Sequence, residues 1–389
     1  MLICTLVAVN QLGFGTIVPV IALYARSFDV SQSAIGLAIA AYGLARFLVA
    51  VPAGQLADRS GRRAALAAGG IVTAVGNLLC AYAPTFATFV AARFVAGAGA
   101  TLVLTTGLIV VADISTPAQR GRAMATYQGV FLFAVGVGPF PGGLLAAHLG
   151  LRAPFLVYTV AGLIGALIAW LVIPETRRTD DLVTADRAAT PAFRSQIRLF
   201  MGRIGFVLVS LVSFTNAVAR TGGLFNVIPV LARDRLHLST DRLGFGLALA
   251  SLTGLVLTYP AGILVDRYGR KAVIVPSTVI SGVALLMFLR APSYGWFLAA
   301  CVVWSIAMGV SGAAPAAYAA DVAPPGMNAA AMSTFRMLSD LGYVVGPIVL
   351  GLAADAFGAN ATLAATAALL VTVGAVFLRW APETYRARF

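Results

Sequence analysis

The sequence predicts an all-α membrane protein, with twelve transmembrane helices in two six-helix bundles and both termini on the cytoplasmic side. Three observations carry that prediction. Of the 389 residues, 60% are hydrophobic and only 11% charged, against about 45–50% and about 25% in a soluble domain. The apolar residues fall into twelve runs, each near the roughly 20 residues a helix needs to cross a hydrocarbon core of about 30 Å. The two halves of the chain also repeat one another at one fixed spacing.

The first bundle covers 1–173 and contains runs at 1–25, 33–57, 64–83, 86–111, 121–147 and 153–173. A polar stretch, 174–203, then carries Arg177, Arg178, Arg187, Arg194, Arg198 and Arg203 among several aspartates, and reads as a cytoplasmic linker. The second bundle covers 204–389, with runs at 204–232, 243–265, 272–290, 294–320, 329–354 and 360–380. These runs are continuous and about twice the length of a membrane β-strand, which alternates apolar and polar residues. A barrel is therefore excluded.

Orientation follows from the basic residues in the loops. With both ends inside, the cytoplasmic face receives Arg59, Arg62, Arg63, Arg120, Arg122, the six linker arginines, Arg267, Arg270, Lys271, Arg379, Arg386 and Arg388. The opposite face receives Arg26, Arg152, Arg233, Arg235, Arg242 and Arg290. A net charge of +13 on a soluble surface would point to nucleic acid. Here the cations punctuate apolar runs, so the expected partner is the lipid bilayer of the cell (inner) membrane, with no nucleic acid. Met1 leads straight into an apolar stretch with no basic region before it, so no cleavable signal is expected.

Enzyme chemistry is not expected. Cys4, Cys80 and Cys301 sit in apolar runs without paired spacing, and His148 and His237 fall at segment ends. No metal, disulfide, redox motif or cofactor follows from them. A nucleotide-driven pump is disfavoured because no phosphate-binding Gly-x-x-x-x-Gly-Lys-Ser/Thr loop occurs.

The repeat is ungapped at an offset of 208. Residues Gly54 to Arg63 (GQLADRSGRR) recur as Gly262 to Lys271 (GILVDRYGRK). The same offset relates Asp113 to Asp321, Pro117 to Pro325, Met124 to Met332, Gly138-Pro139 to Gly346-Pro347, and Pro174-Glu175-Thr176 to Pro382-Glu383-Thr384. Six spans separate each pair, so both copies enter the membrane with the same polarity, as in transporters built from parallel repeats.

These residues resemble the major facilitator superfamily, and within it the twelve-helix drug:proton antiporters, over essentially the whole chain. The Gly-x-Leu-x-Asp-Arg-x-Gly-Arg-Arg loop is similar to that superfamily's most specific signature. Arg93-x-x-x-Gly97-x-Gly99 is similar to its second motif, and Gly138-Pro139-Phe140-Pro141-Gly142-Gly143 to its antiporter motif, with Ala134 where a strict pattern has glycine. The resemblance implies a secondary transporter that exports small amphipathic drugs or metabolites by proton-coupled alternating access, acting as a monomer. A facilitator or proton symporter importing an anionic metabolite is the alternative. A receptor or scaffold on the same fold is disfavoured by two intact loops and a buried acid.

The resemblance also implies gating roles for Gly54, Asp58, Arg59, Gly61, Arg62 and Asp113, and for their repeats Gly262, Asp266, Arg267, Gly269, Arg270 and Asp321. Gly138, Pro139, Gly142, Gly143, Gly346 and Pro347 lie within spans, where proline removes a backbone hydrogen bond and glycine lets helices approach. Charges inside the spans point to function because they are costly there. They are Arg46, Arg93, Arg220, Arg336 and Asp340. Asp340 and Arg46 each lie 12 residues from the cytoplasmic edge of a span, roughly 18 Å deep. The family architecture sets spans 2 and 11 side by side, so Arg46 and Asp340 are expected to pair or share cargo. Arg336, one turn from Asp340, can claim that carboxylate instead. Proton coupling is thus assigned to Asp340, Arg46, Arg336 and Arg93. Cavity walls are assigned to Arg46, Arg220, Asn10, Gln11, Gln128, Tyr127, Phe131, Asn226, Trp304 and Tyr343.

Overall fold

The structure, a computed structural model, describes residues 2–115, 119–176, 199–311, 314–324 and 327–384. The linker from 177 to 198, Pro117, Pro325, Arg386 and Arg388 lie outside the described residues, as do the side chains at Arg120, Gly262 and Asp266.

Every element among the described residues is helical. The first half holds α1 (Leu2–Ile17), α2 (Ile21–Arg26), α3 (Gln32–Ser60), α4 (Arg62–Ala81), α5 (Phe86–Ile114), α6 (Arg120–Val137), α7 (Pro139–Leu149) and α8 (Ala153–Leu171). The second holds α9 (Ile204–Val218), a wider π-helical segment (Ala219–Val227), α10 (Ile228–Leu236), α11 (Thr240–Tyr268), α12 (Lys271–Leu289), α13 (Tyr294–Ser311), α14 (Ala314–Asp321) and α15 (Asn328–Trp380). Among the described residues, ten helical stretches are long and apolar enough to cross a membrane, and α1 is a shorter apolar helix.

Local chemistry sets the ends. Ser31 caps α3 by accepting from the Ala34 amide at 3.3 Å, and Thr85 caps α5 by accepting from Thr88 at 3.2 Å. The 53 residues of α15 would run about 80 Å as one helix, far beyond a bilayer. Gly358, at φ 82° and ψ 157°, breaks that run between the stretches expected at 329–354 and 360–380.

The repeat continues into backbone geometry. The glycines with positive φ are Gly61 and Gly269, both at 90°, and Gly150 and Gly358, at 88° and 82°. Both pairs are spaced by 208. Three of these four have ψ near 160°, a region essentially closed to residues with a Cβ. Pro52 inside α3 and Pro260 inside α11 are a further pair at the same offset.

The chain divides into two compact units. One contains the described residues up to 185 with His237–Ala248, and the other those from 186 to Leu236 with Leu249 onward. In the first unit α4 packs on α5 and α8, α3 on α5, and α1 on α6 and α8. Small residues allow this: a Cβ on Gly70 would stand 2.8 Å from the Gly162 carbonyl oxygen, and one on Gly76 would stand 2.6 Å from the Ala96 Cα. Such close approach is how helices associate where lipid removes the hydrophobic drive. In the second unit α15 packs on α9 and α12, over a core that includes Phe200, Phe206, Tyr318 and Phe377.

Candidate functional site

Each half carries a clasp at its signature loop. In the first, Gly61 turns the chain between α3 and α4, which places Arg62 at the first position of α4. Its Nε donates to Asp113 Oδ2 at the end of α5 at 3.1 Å, and its Nη1 lies 2.9 Å from Asp58 Oδ1. Thr176 Oγ1 donates to the same Asp113 oxygen at 3.0 Å. Glu175 then accepts from the amides of Arg62 at 2.9 Å and Arg63 at 3.2 Å. Those amides are among the four at a helix start that lack intrahelical acceptors, and a carboxylate there is also favoured by the helix dipole.

In the second clasp, Arg270 Nε lies 2.9 Å from Asp321 Oδ2, and Thr384 Oγ1 donates to that oxygen at 3.1 Å. The Arg270 N–H is not aligned for a hydrogen bond, unlike that of Arg62. The chain after α15 is held instead through backbone oxygens. Lys271 Nζ donates to the Ala381 carbonyl at 2.8 Å, and Tyr318 donates to the Pro382 carbonyl at 2.6 Å. Arg59 is exposed, and Arg267 lies 5.5 Å from the Tyr268 ring centroid. Isolated surface ion pairs contribute about 0–1 kcal/mol. These pairs differ because the Asp113 and Asp321 side chains are only 25% and 31% exposed, and each also accepts a threonine hydroxyl.

The Gly-Pro segments are sites of close helix crossing. A Cβ on Gly138 would meet the Gly15 Cα at 2.5 Å, and Gly142 sits against the Thr16 carbonyl. Gly143 packs on Thr240 and Gly244, Thr240 Oγ1 donates to the Gly143 carbonyl at 3.1 Å, and Phe140 meets Phe245 edge-on at 5.9 Å. In the second unit Gly346 takes the matching role: its Cβ would fall 2.7 Å from the Val218 Cα, and Gly222 packs on its carbonyl. Gly54 has no atom within 4 Å of such a Cβ.

The interiors differ. In the first unit Arg93, 2% exposed, stacks its guanidinium 4.5 Å from the centroid of Tyr42, which is itself stacked on Phe14 at 5.1 Å. Arg93 Nε and Nη1 have no hydrogen-bond partner, and neither does Gln11 Oε1. Tyr158, fully buried, donates to Asn10 Oδ1 at 3.4 Å and lies within the electrostatic reach of both Arg93 and Arg46. Tyr127 is spent on the Leu104 carbonyl at 3.0 Å, Gln128 is exposed, and Phe131 packs on the Leu6–Val7 core.

In the second unit the π-helical segment carries Arg220, whose Nη1 donates to the Tyr343 hydroxyl at 3.2 Å and which lies 5.7 Å from the Phe225 ring centroid. Such wide turns recur at functional sites. Asn226 donates to the Pro347 carbonyl at 2.9 Å. Tyr343 stands three residues past Asp340 on α15, so both share one helix face. Arg336 and Asp340 are exposed on that helix, so the acid expected to be buried is not covered by the protein's own packing; Trp304 is buried in α13.

Structure thus joins Arg220 to Tyr343, and gathers Arg46, Arg93 and Asn10 around Tyr158. Sequence reading missed Tyr42 and Tyr158, which are inconspicuous tyrosines among eleven. It also left the repeated Pro-Glu-Thr without a role, although the offset had already set it apart.

Comparison with known proteins agrees with this architecture. The profile of the Major Facilitator Superfamily matches residues 3–239 and 206–389. A protein of Methanocaldococcus jannaschii described as an uncharacterized MFS-type transporter is 22% identical over 369 residues, covering 94% of each chain. A class C tetracycline resistance protein of Escherichia coli is 28% identical over 296 residues, covering 75% of this chain and 73% of that one. Among solved structures, a D-xylose-proton symporter superposes with a TM-score of 0.78 at 17% identity, covering 98% of both chains. With two matched halves and this profile over essentially its whole length, the chain belongs to the major facilitator superfamily and is a multi-pass cell-membrane transporter of small molecules, not an enzyme.

Proposed function

We propose that this transporter exports small amphipathic molecules in exchange for protons. It works by alternating access, as a twelve-helix monomer with both termini in the cytoplasm. The observation that carries the reading is the duplicated clasp. An arginine at the start of a helix, an aspartate at the end of another and a threonine from the Pro-Glu-Thr segment meet in each half. Plain anchoring to the inner leaflet needs the cations but not the acids. A pair that forms and breaks needs both, so the clasps serve as latches that open with the cytoplasmic side. The tetracycline resistance relative supports export as the direction.

Asp340 is the proton carrier in this scheme. It is the one acid deep within a predicted span, and it shares a helix face with Tyr343, which Arg220 engages. A cation that leaves such a carboxylate raises its proton affinity, and one that returns lowers it. Cargo binding near Arg220 and Tyr343 is therefore coupled to protonation. Importing an anionic metabolite is the second reading, favoured by the unpartnered donors of Arg93.

Inside-out membrane vesicles separate the two. Export gives proton-gradient-dependent accumulation of an amphipathic dye within the vesicles, abolished by an uncoupler. Equilibration without accumulation would contradict it.

A further inference from the structure

Arg93 presents a charge problem that the first unit does not solve. It sits seven residues into α5, about 10 Å from the helix start, and is 2% exposed. Among residues 1–173 the only acids are Asp29, Asp58 and Asp113, all in loops or at helix ends. The interior of this unit thus holds Arg93 and Arg46 without any carboxylate within its predicted spans. A buried cation normally persists only when paired and hydrogen-bonded, because desolvation costs several kcal/mol per ion.

Stacking on Tyr42 stabilises the face of the guanidinium. The guanidinium N–H groups lie in its own plane, and Nε and Nη1 donate to nothing. A stacked guanidinium with idle in-plane donors is arranged for a planar, singly charged acceptor, because its fork matches a carboxylate. Near it stand Tyr158, held to Asn10, and Cys80. These groups fix orientation and add no negative charge.

We propose that Arg93, backed by Tyr42, is the docking point for a carboxylate of the transported molecule, so that the cargo is an organic monocarboxylate with an apolar body. The counter-ion that the first six spans lack arrives with the cargo. The proposal rests on the exporter reading only for the direction of transport, since equilibrium binding does not depend on it.

Purified full-length protein is titrated with benzoate, benzamide and phenyl phosphate while thermal unfolding is followed. Benzoate raises the unfolding temperature of the wild type in a saturable manner, and benzamide and phenyl phosphate at equal concentration do not. Arg93→Met weakens the benzoate effect at least tenfold, while the ligand-free variant unfolds at or above the wild-type temperature because an unpaired buried charge is gone. Should Arg93→Met not fold, Arg93→Lys, which keeps the charge and loses the planar fork, gives the same reduction. Equal stabilisation by benzamide, stronger stabilisation by phenyl phosphate, or unchanged benzoate binding in a folded Arg93 variant overturns the site. A vesicle arm keeps the two readings apart. Benzoate that binds through Arg93 but is not accumulated under a proton gradient leaves the site standing and sinks export. Proton-driven dye accumulation without any benzoate binding sinks the site and leaves export standing.

Discussion

The two halves agree at their loops and disagree in their interiors. At the loops, Arg62, Asp113 and Thr176 meet as Arg270, Asp321 and Thr384 do, with distances that match within a few tenths of an ångström. Within its predicted spans the first half carries Arg46 and Arg93 with no acid, whereas the second carries Arg220, Arg336 and Asp340. The difference separates two duties. On the proposed reading the machinery of movement is duplicated, since two halves that move as equals need equivalent latches and equivalent close crossings. On the proposed reading, proton handling falls to the second half, which holds the intramembrane carboxyl, while both halves supply cations that cargo can meet.

The comparison breaks most severely where helices touch backbone to backbone. Gly138→Leu and Gly346→Leu each drive a side chain into the facing helix at 2.5–2.7 Å. Each should cost about 1–3 kcal/mol or more and abolish transport. Gly54→Ala, placed in open space, should leave expression and flux at wild-type level. A tolerated leucine at 138 and a damaging one at 346 would show that the crossings are not equivalent. Expression yield and thermal unfolding in detergent read the difference.

A smaller effect is expected at the turns. Gly61→Ala and Gly269→Ala force a Cβ into a backbone region costing about 1–3 kcal/mol, and Gly61→Ala should lose more because its Cβ also meets the Glu175 carboxylate. The clasps themselves sharpen the contrast further. Asp113→Ala removes an acceptor from an aligned Arg62 N–H, and Asp321→Ala from an unaligned Arg270 N–H. The first should therefore slow transport more than the second, by several-fold, in a dye-flux assay at low salt. Equal losses would mean that charge alone, not hydrogen-bond geometry, sets latch strength.

Much of this was legible in the sequence. The apolar runs, the offset of 208 and the Asp-Arg-x-Gly-Arg loops follow from elementary requirements of lipid burial and tight turning, and the clasp partners lie at the predicted helix ends. Gly150 with Gly358 and Pro52 with Pro260 obey the same offset, yet they were hidden in a chain with 40 glycines and 18 prolines. The Arg93 environment was not legible. Its stacking on Tyr42 joins α3 to α5, and its proximity to Tyr158 adds α8, contacts made only in three dimensions. The helix-capping role of Glu175 was equally out of reach, because it depends on where the chain after α8 returns to the start of α4.

The central claim is that the titratable work resides in one carboxyl group of the second half. Asp340→Asn in proteoliposomes tests it most directly. The account predicts that accumulation driven by a pH gradient disappears while counterflow exchange of labelled for unlabelled cargo continues. Undiminished pH-driven accumulation in that variant would contradict it.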